Sequence, residues 1–315
     1  MAKFKNDFMM VGKLVDKNLV EKVSNRTGKE YISGTLDIEV KKEQDGKLVP
    51  NLFTVNLLAM KYRKDGKENG LYKGYKTIID DYKIGDPVRV KGSLGMEEYY
   101  NANRERISSY QKYNALSVSR LTEEELSNQE VKPVALATID TTIISTDIDE
   151  DGVMKVDCFT TDFRGDYIKL FNVTVAENVM DTFPNFYFEG QTGEITYDLY
   201  SYAEEVEKES PEIEVATGFG SQVRVESDVK VFSRKIVKQE IIGGAVPYDN
   251  NEKVLTEEQI KDILEKHEQK LEELRADNNL TPNEQAFGQP ETQTVSENDI
   301  PEINPFSSNT SNPFA

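Results

Sequence analysis

The chain is poor in the residues that build catalytic and redox sites. It has one cysteine, one histidine and no tryptophan among 315 residues. A single thiol cannot form an internal disulfide, and one Cys with one His cannot complete a zinc site made of those ligands. No glycine-rich segment ends in Gly-Lys-Ser/Thr, the phosphate cradle of many nucleotide-binding enzymes. We therefore predict a protein without catalytic residues, cofactor or metal.

Three features that could suggest chemistry have simpler explanations. His267 lies on one face of a predicted helix, and Cys158 falls in a strand pattern, where a small core side chain is expected. Residues 147–152 open like a calcium-binding loop, but the position that needs a bidentate Glu is Cys158. We interpret that segment as a hairpin turn ending in Asp151-Gly152.

Long apolar runs are also missing. No stretch approaches the roughly 18 apolar residues that span a bilayer, and residues 1–7 lack the apolar core of a secretory signal. Together with the lone cysteine, these absences predict a reducing cytoplasm.

Charge is divided unevenly along the chain. Residues 1–120 hold 23 Lys/Arg against 16 Asp/Glu, whereas residues 121–315 hold 15 against 41. A cationic first part suits a polyanion such as nucleic acid, although the formal net charge of −19 alone would have argued against it.

Strand-like alternation dominates the first part. In residues 31–41 the apolar positions are Ile32, Leu36, Ile38 and Val40, and residues 52–60 alternate in the same way. Further strands are predicted at residues 8–15, around 88–90 and at 107–121, with a short helix near 75–82. Five strands with a helix between the third and fourth is the order of an OB-fold, a small Greek-key barrel.

A second set of strands follows a short linker. It is predicted at residues 136–146, 153–161, 167–175, 192–200 and 222–236, with a turn at Pro184 before the fourth strand. We predict a mainly β chain with two OB-like barrels. The expected divisions are a basic domain at 1–121, a linker at 122–132, an acidic domain at 133–247, an amphipathic helix at 253–277 and a disordered acidic tail at 278–315.

The helix is predicted by its periodicity and its start signal. Thr256 and Gln259 fit a capping box, and an apolar face repeats with helical spacing. That pattern is compatible with self-association and with packing on a barrel. The face comprises Ile260, Ile263, Leu264, His267, Leu271 and Leu274.

The first barrel carries the residues expected of a nucleic-acid site. An OB barrel binds across its second and third strands and through the loops joining strands one to two and four to five. Cations there neutralise phosphates, and aromatic rings stack on unpaired bases for about 1–3 kcal/mol each. The first loop contains Lys17, Lys22 and Arg26, while Phe53 is expected in the core. The predicted binding residues are Lys29, Lys41, Lys42, Lys61, Tyr62, Arg63, Lys64, Tyr99, Tyr100, Arg104, Arg106, Tyr110 and Lys112.

In the second barrel, the corresponding loops carry negative instead of positive charge. Its fourth-to-fifth connection keeps Tyr200 and Tyr202 but surrounds them with glutamates, which repel phosphates. We expect that this barrel has lost nucleic-acid binding and either packs on the first barrel or docks a protein.

The basic barrel, acidic tail and Pro-Phe terminus together resemble single-stranded DNA-binding proteins of bacteria and their phages. Members of that family end in aspartates followed by Ile-Pro-Phe, which recruits replication and repair enzymes. Here the elements are separated, and Ala315 follows the last Phe. The resemblance implies a sequence-tolerant single-stranded DNA-binding protein of replication, recombination or repair, located in the host cytoplasm if phage-encoded. The partner-binding tail residues would be Asp299, Ile300, Pro301, Pro305, Phe306, Pro313 and Phe314.

Two other functions remain open at this point. Residues 304–306 and 312–314 both read Asn-Pro-Phe, the tripeptide ligand of eukaryotic EH domains, which would suit a protein-interaction adaptor. Scattered carboxylates would suit a nucleic-acid-processing enzyme such as a nuclease, but no spaced cluster of them is present.

Overall fold

The computed structural model describes residues 4–44, 46–102, 105–127, 132–170, 172–209, 213–215, 224–226, 229–249 and 252–277. The predicted tail at 278–315 lies outside these residues. No helix in the described ranges is both long and apolar enough to cross a membrane.

Five strands and one helix form the first barrel. They are β1 (Asn6–Val23), β2 (Glu30–Gln44), β3 (Lys47–Met60), α1 (Gly70–Asp81), β4 (Pro87–Asn101) and β5 (Arg106–Arg120). The strands pair in the order β1-β2-β3-β5-β4, with β3 and β5 parallel and the other pairs antiparallel. Because β4 also pairs with β1, the sheet closes on itself. The predicted OB-like barrel is confirmed.

Strand β1 is longer than predicted because it bends and pairs with both β2 and β4. Residues 8–13 pair with β4, and residues 13–23 pair with β2. The register with β2 shifts between Leu14 and Asp16, which marks a β-bulge that turns the strand. At Gly34 a Cβ would lie 1.9 Å from the Asn18 carbonyl oxygen, so only glycine allows this close strand contact.

The alternation in β2 and β3 sends one face of each strand into the barrel. Ile32, Leu36 and Ile38 are buried with Phe53 and Val55, so the prediction that Phe53 is a core residue is confirmed. Burial of such side chains, at about 25 cal/mol per Å² of apolar surface, is the main stabilising contribution to the barrel.

Helix α1 covers one end of this core; it begins five residues before the predicted 75–82 and ends at Asp81. Asn69 caps its start by accepting a hydrogen bond from the Leu71 amide at 3.1 Å. Tyr75 is buried, and its hydroxyl donates to the Ala115 carbonyl at 2.7 Å. The Lys17 ammonium donates to three carbonyls at the end of α1, at 2.7–3.0 Å, and therefore stabilises the helix C-terminus.

The second barrel follows the short helix α2 (Glu123–Ser127). Its predicted third strand is two short strands, and its last strand lies later in the chain than predicted. The elements are β6 (Val134–Ile148), β7 (Met154–Thr161), β8 (Tyr167–Lys169), β9 (Val173–Val175), α3 (Glu177–Met180), α4 (Phe183–Phe186), β10 (Thr192–Glu209), β11 (Ile213–Val215), β12 (Arg224–Glu226) and β13 (Val229–Gly244).

The two barrels share one topology. In the second, the pairing order is β6-β7-β9-β13-β10 and back to β6. The β9–β13 pair is parallel, as is the corresponding β3–β5 pair of the first barrel. The predicted second OB-like barrel is therefore confirmed. Cys158 is fully buried in it, as expected, and residues 149–152 form the predicted turn, in which Asp149 accepts from the Asp151 and Val153 amides.

The barrels are joined by their first strands. Residues 6–11 of β1 pair antiparallel with residues 134–139 of β6, so the sheet runs from one barrel into the other. The buried Asn6 amide group donates to the carbonyls of Leu94 and Thr161, at 3.0 and 2.8 Å. On β3, Asn51 accepts a hydrogen bond from the Ser201 amide at 2.8 Å. The expectation that the second barrel packs on the first is confirmed.

The predicted C-terminal helix is α5 (Glu257–Asp277). Its capping box is present, because the Thr256 amide donates to Gln259 at 2.9 Å and the Gln259 amide donates to Thr256 at 3.3 Å. The helix packs on β4 and β5. Of the two roles left open by the sequence, packing on a barrel is the one observed.

Candidate nucleic-acid interface

The outer face of β1, β2 and β3 presents rows of side chains to solvent. Directly opposite residues of antiparallel strands point to the same side of a sheet, so the register identifies the rows. Leu58, in the middle row, is 67% exposed, an unusual environment for a large apolar side chain. The rows are Lys22–Tyr31–Met60, Val20–Ser33–Leu58 and Asn18–Thr35–Asn56.

Two loops meet at the end of this face. The β1–β2 loop and the β3–α1 loop are held together by a hydrogen bond from the Lys61 amide to the Glu30 carbonyl, at 2.9 Å. Tyr62 lies in the β3–α1 loop, and 57% of its surface is exposed. We call the cations of these loops and of the adjoining strand end the basic rim, which consists of Lys22, Arg26, Lys29, Lys61, Arg63, Lys64 and Lys67.

Carboxylates of the described residues neutralise only two cations of the basic rim. Lys61 pairs with Glu30, and the hydrogen bond that it donates to this carboxylate raises the pKa of Lys61. Arg63 pairs with Asp65 at 3.1 Å. The other five cations have no carboxylate partner among the described residues. Their charges are therefore available to a bound polyanion.

The β4–β5 hairpin forms a second aromatic group. Tyr99 and Tyr110 contact each other edge to face with ring centroids 6.1 Å apart. Lys112 lies 5.5 Å from the centre of the Tyr110 ring and pairs with Glu97. Burial lowers the pKa of Lys112 and raises that of Tyr110. We call Tyr99 and Tyr110 the hairpin tyrosines.

Other predicted residues of this hairpin are not part of that group. Strand alternation sets Tyr100 on the opposite face from Tyr99. Arg106 is exposed at the start of β5, and Arg104 lies outside the described residues.

An acidic stripe separates the basic rim from the hairpin tyrosines. Asp37 and Glu39 lie on the outer face of β2, opposite Thr54 and Leu52 of β3. Because Tyr113 pairs with Val55, the hairpin tyrosines lie towards the start of β3, while the rim follows its end. Along β3, the stretch from Thr54, beside the acidic stripe, to Met60, beside the rim, is roughly 20 Å long at about 3.3 Å per residue. The two groups are separate surfaces, and the rim has the greater unpaired positive charge.

The predicted lysines of the β2–β3 hairpin lie in different environments. Lys41 is exposed and 4.0 Å from Glu39. Lys42 is buried between the barrels, where it pairs with Asp198 and donates to the Ala135 carbonyl at 3.3 Å. Burial lowers the pKa of Lys42, and the hydrogen bond that Lys42 donates to Asp198 only partly opposes this. A buried, paired ammonium is not available to a phosphate, so we leave Lys42 out of the interface.

The second barrel encloses Tyr200, the tyrosine on its fourth strand β10. The ammonium groups of Lys42 and Lys238 lie 4.4 and 4.6 Å from the centre of the Tyr200 ring. The Tyr200 hydroxyl donates to Glu240 at 3.3 Å, and burial together with Asp198 and Glu240 raises its pKa. Since two cations already contact this ring, Tyr200 is not exposed for base stacking.

Sequence reasoning missed four members of the candidate interface. Tyr31, Leu58 and Met60 lie on the outer face, and Lys67 belongs to the basic rim. The signal was present in the pattern, because outward positions of the two predicted strands that are aromatic or apolar need an explanation other than the core.

The predicted tail residues 299–301, 305–306 and 313–314 lie outside the described residues.

Solved structures of single-stranded DNA-binding proteins are similar to this chain at low sequence identity. A deletion mutant of the single-stranded DNA-binding protein from Thermus aquaticus is 12% identical, with a TM-score of 0.49 over 80% of this chain and 98% of that chain. The wild-type protein is also 12% identical, with a TM-score of 0.47 over 79% and 96%. A small single-stranded DNA-binding protein from Streptomyces coelicolor, 12% identical, has a TM-score of 0.26 over 38% and 95%.

A search of curated proteins gives no match. The sequence model of the family described as YorF matches residues 5–277, which include both barrels and α5. The chain therefore belongs to the YorF family.

Proposed function

We propose that this protein binds single-stranded DNA without sequence preference, through the first barrel, and that it is not an enzyme. The observation that carries the proposal is the basic rim, in which five cations have no carboxylate partner among the described residues and the ring of Tyr62, from the same loops, is exposed. A phosphate chain needs such cations, and an unpaired base needs an accessible flat ring. Tyr31, Leu58 and Met60 extend the same surface with further aromatic and apolar area.

Each cation of the rim would neutralise a phosphate and release a counterion. The logarithm of the binding constant then falls with the logarithm of salt concentration by about 0.7 per phosphate contacted on a single strand. The five rim cations without a carboxylate partner among the described residues thus correspond to a slope of about −3.5. The hairpin tyrosines and Lys112 form a second, weaker contact, because Glu97 already pairs with Lys112.

The C-terminal tail supplies the second half of the proposal. Residues 278–315 contain no Lys or Arg and contain five Asp/Glu, and they end in two Asn-Pro-Phe tripeptides. Such a polyanion would compete with DNA for the basic rim, and its Pro-Phe segments would recruit replication, recombination or repair proteins in the cytoplasm. Residues 1–121 and 133–247 would be the DNA-binding and packing domains.

Titration of a labelled oligothymidine with the full-length protein at two salt concentrations tests the proposal. We expect tight binding at low salt, marked weakening at high salt and similar affinity for an oligomer of mixed sequence. No binding at low salt would contradict the proposal, and strand cleavage on addition of magnesium would instead identify a nuclease.

A further inference from the structure

The β4–β5 hairpin that carries the hairpin tyrosines is held from behind. Glu98 alternates with Tyr99 along β4 and therefore lies on the opposite face of the hairpin. Its side chain is 8% exposed. One carboxylate oxygen is 2.8 Å from Nε2 of His267, and the other accepts from the Lys270 ammonium at 2.9 Å. Helix α5 thus binds this hairpin through both oxygens of one carboxylate.

Compared with the Glu98 contacts, the apolar packing of α5 is weak. The residues of its apolar face are all at least partly exposed, and Leu264 is 36% exposed. Beneath the helix, against the second barrel, lies a cavity of about 410 Å³ that is lined by apolar and charged side chains, among them Phe4, Phe159, Ile168 and Ile263. A helix over such a space forfeits contacts that a close-packed interface would make. The Glu98 contacts are therefore a large part of what fixes α5 on the hairpin.

We propose that Glu98 is a positioning residue for DNA binding. By holding α5 against the back of the hairpin, it keeps the hairpin tyrosines on the front in the orientation that stacks on bases. This inference rests on the proposed function. Its physical reason is that a two-stranded hairpin extending from a barrel is marginally stable by itself and needs packing on one face.

The first test needs no DNA. Hydrogen exchange of the full-length protein is compared between the wild type, the double variant His267→Ala/Lys270→Ala and the milder variant Glu98→Gln. We expect exchange in residues 97–110 to be at least tenfold faster in the double variant, with Glu98→Gln between the two. The matched control is Lys261→Ala/Lys266→Ala, which removes two exposed cations whose ion pairs, among the described residues, lie within α5. Unchanged exchange in the double variant would overturn the proposal.

The second test measures coupling to the DNA contact. In the wild type, Tyr110→Ala should weaken oligothymidine binding about fivefold or more, as expected for one lost stacking ring. In the His267→Ala/Lys270→Ala background the same substitution should cost less than twofold, because the ring is no longer held in position. Equal costs in both backgrounds would overturn the positioning role, even if the hairpin exchanges faster.

The two proposals fail in different ways. A wild-type protein that does not bind oligothymidine refutes the proposed function, whatever the exchange data show. A protein that binds oligothymidine but shows additive substitutions refutes only the role of Glu98.

Discussion

The two barrels have the same strand order but present different side-chain chemistry on their surfaces. In the first, Tyr62 is exposed and most cations of the basic rim lack a carboxylate partner among the described residues. In the second, Tyr200 lies between Lys42 and Lys238, and the exposed Lys155 and Lys169 pair with Asp149 and Asp157. The comparison teaches that the barrel provides a scaffold, while pairing and exposure of individual side chains decide what it can bind.

The largest effect is expected at the contact between the two barrels, where Lys42 is buried. Replacing Lys42 by Ala leaves the Asp198 carboxylate without its buried partner, so the protein should lose about 3–5 kcal/mol of unfolding free energy. DNA affinity should change less than twofold. Urea denaturation and oligothymidine titration check both expectations. Lys41→Ala, at the exposed neighbouring position, is the control and should cost less than about 0.5 kcal/mol.

The exposed tyrosine of the first barrel should be the strongest single stacking residue. Tyr62→Ala should weaken oligothymidine binding by about 1–3 kcal/mol, roughly fivefold to 150-fold, whereas Tyr62→Phe retains the ring and should change affinity little. Tyr202→Ala, at a partly exposed tyrosine of the second barrel, is the control. Equal losses for Tyr62→Ala and Tyr202→Ala, measured by fluorescence anisotropy, would contradict the division of roles between the barrels.

The acidic tail should oppose the basic barrel. Deleting residues 296–315 should tighten oligothymidine binding a few-fold at low salt, because an intramolecular polyanion is removed, and the gain should vanish at high salt, where charges are screened. Replacing the acidic residues of that segment by their amides should reproduce the gain at full chain length. Unchanged affinity of the deleted protein at low salt would argue against competition.

The contact between α5 and the first barrel should depend on pH. Burial alone would raise the pKa of Glu98, but the hydrogen bonds from His267 and Lys270 outweigh it and lower the pKa from 4.5 to about 2. A lowered carboxyl pKa stabilises the fold above its unfolded value, and this stabilisation is lost as pH falls towards about 2. The Tm difference between wild type and Glu98→Gln should therefore shrink over that range. A constant difference would contradict the assignment.

The fold was predictable where alternation was regular. The apolar positions of β2 and β3 identified the first barrel, and the capping box and spacing identified α5. The full length of β1 was not predictable, because the bulge after Leu14 and the polar residues beyond it interrupt the period. The strand pair β8 and β9 appeared as one strand, since each is only three residues long.

The candidate site was predictable only in part. The strand pattern and composition predicted cations and tyrosines in the loops of the first barrel, but they could not show that Lys42 is buried against Asp198 or that Lys17 caps α1. Both depend on contacts with residues far along the chain. Likewise, Tyr31 and Leu58 become candidates only when the register shows that they share the outer face.

The most direct test of the central claim is the salt dependence of oligothymidine binding in two variants with five cations replaced. One variant changes Lys22, Arg26, Lys29, Lys64 and Lys67 of the basic rim to Ala; the other changes Lys155, Arg164, Lys169, Arg234 and Lys235 of the second barrel. We predict that the first loses most of a slope of about −3.5 and binds at least a hundredfold more weakly at low salt. The second should retain the wild-type slope. Equal slopes in the two variants would contradict the account.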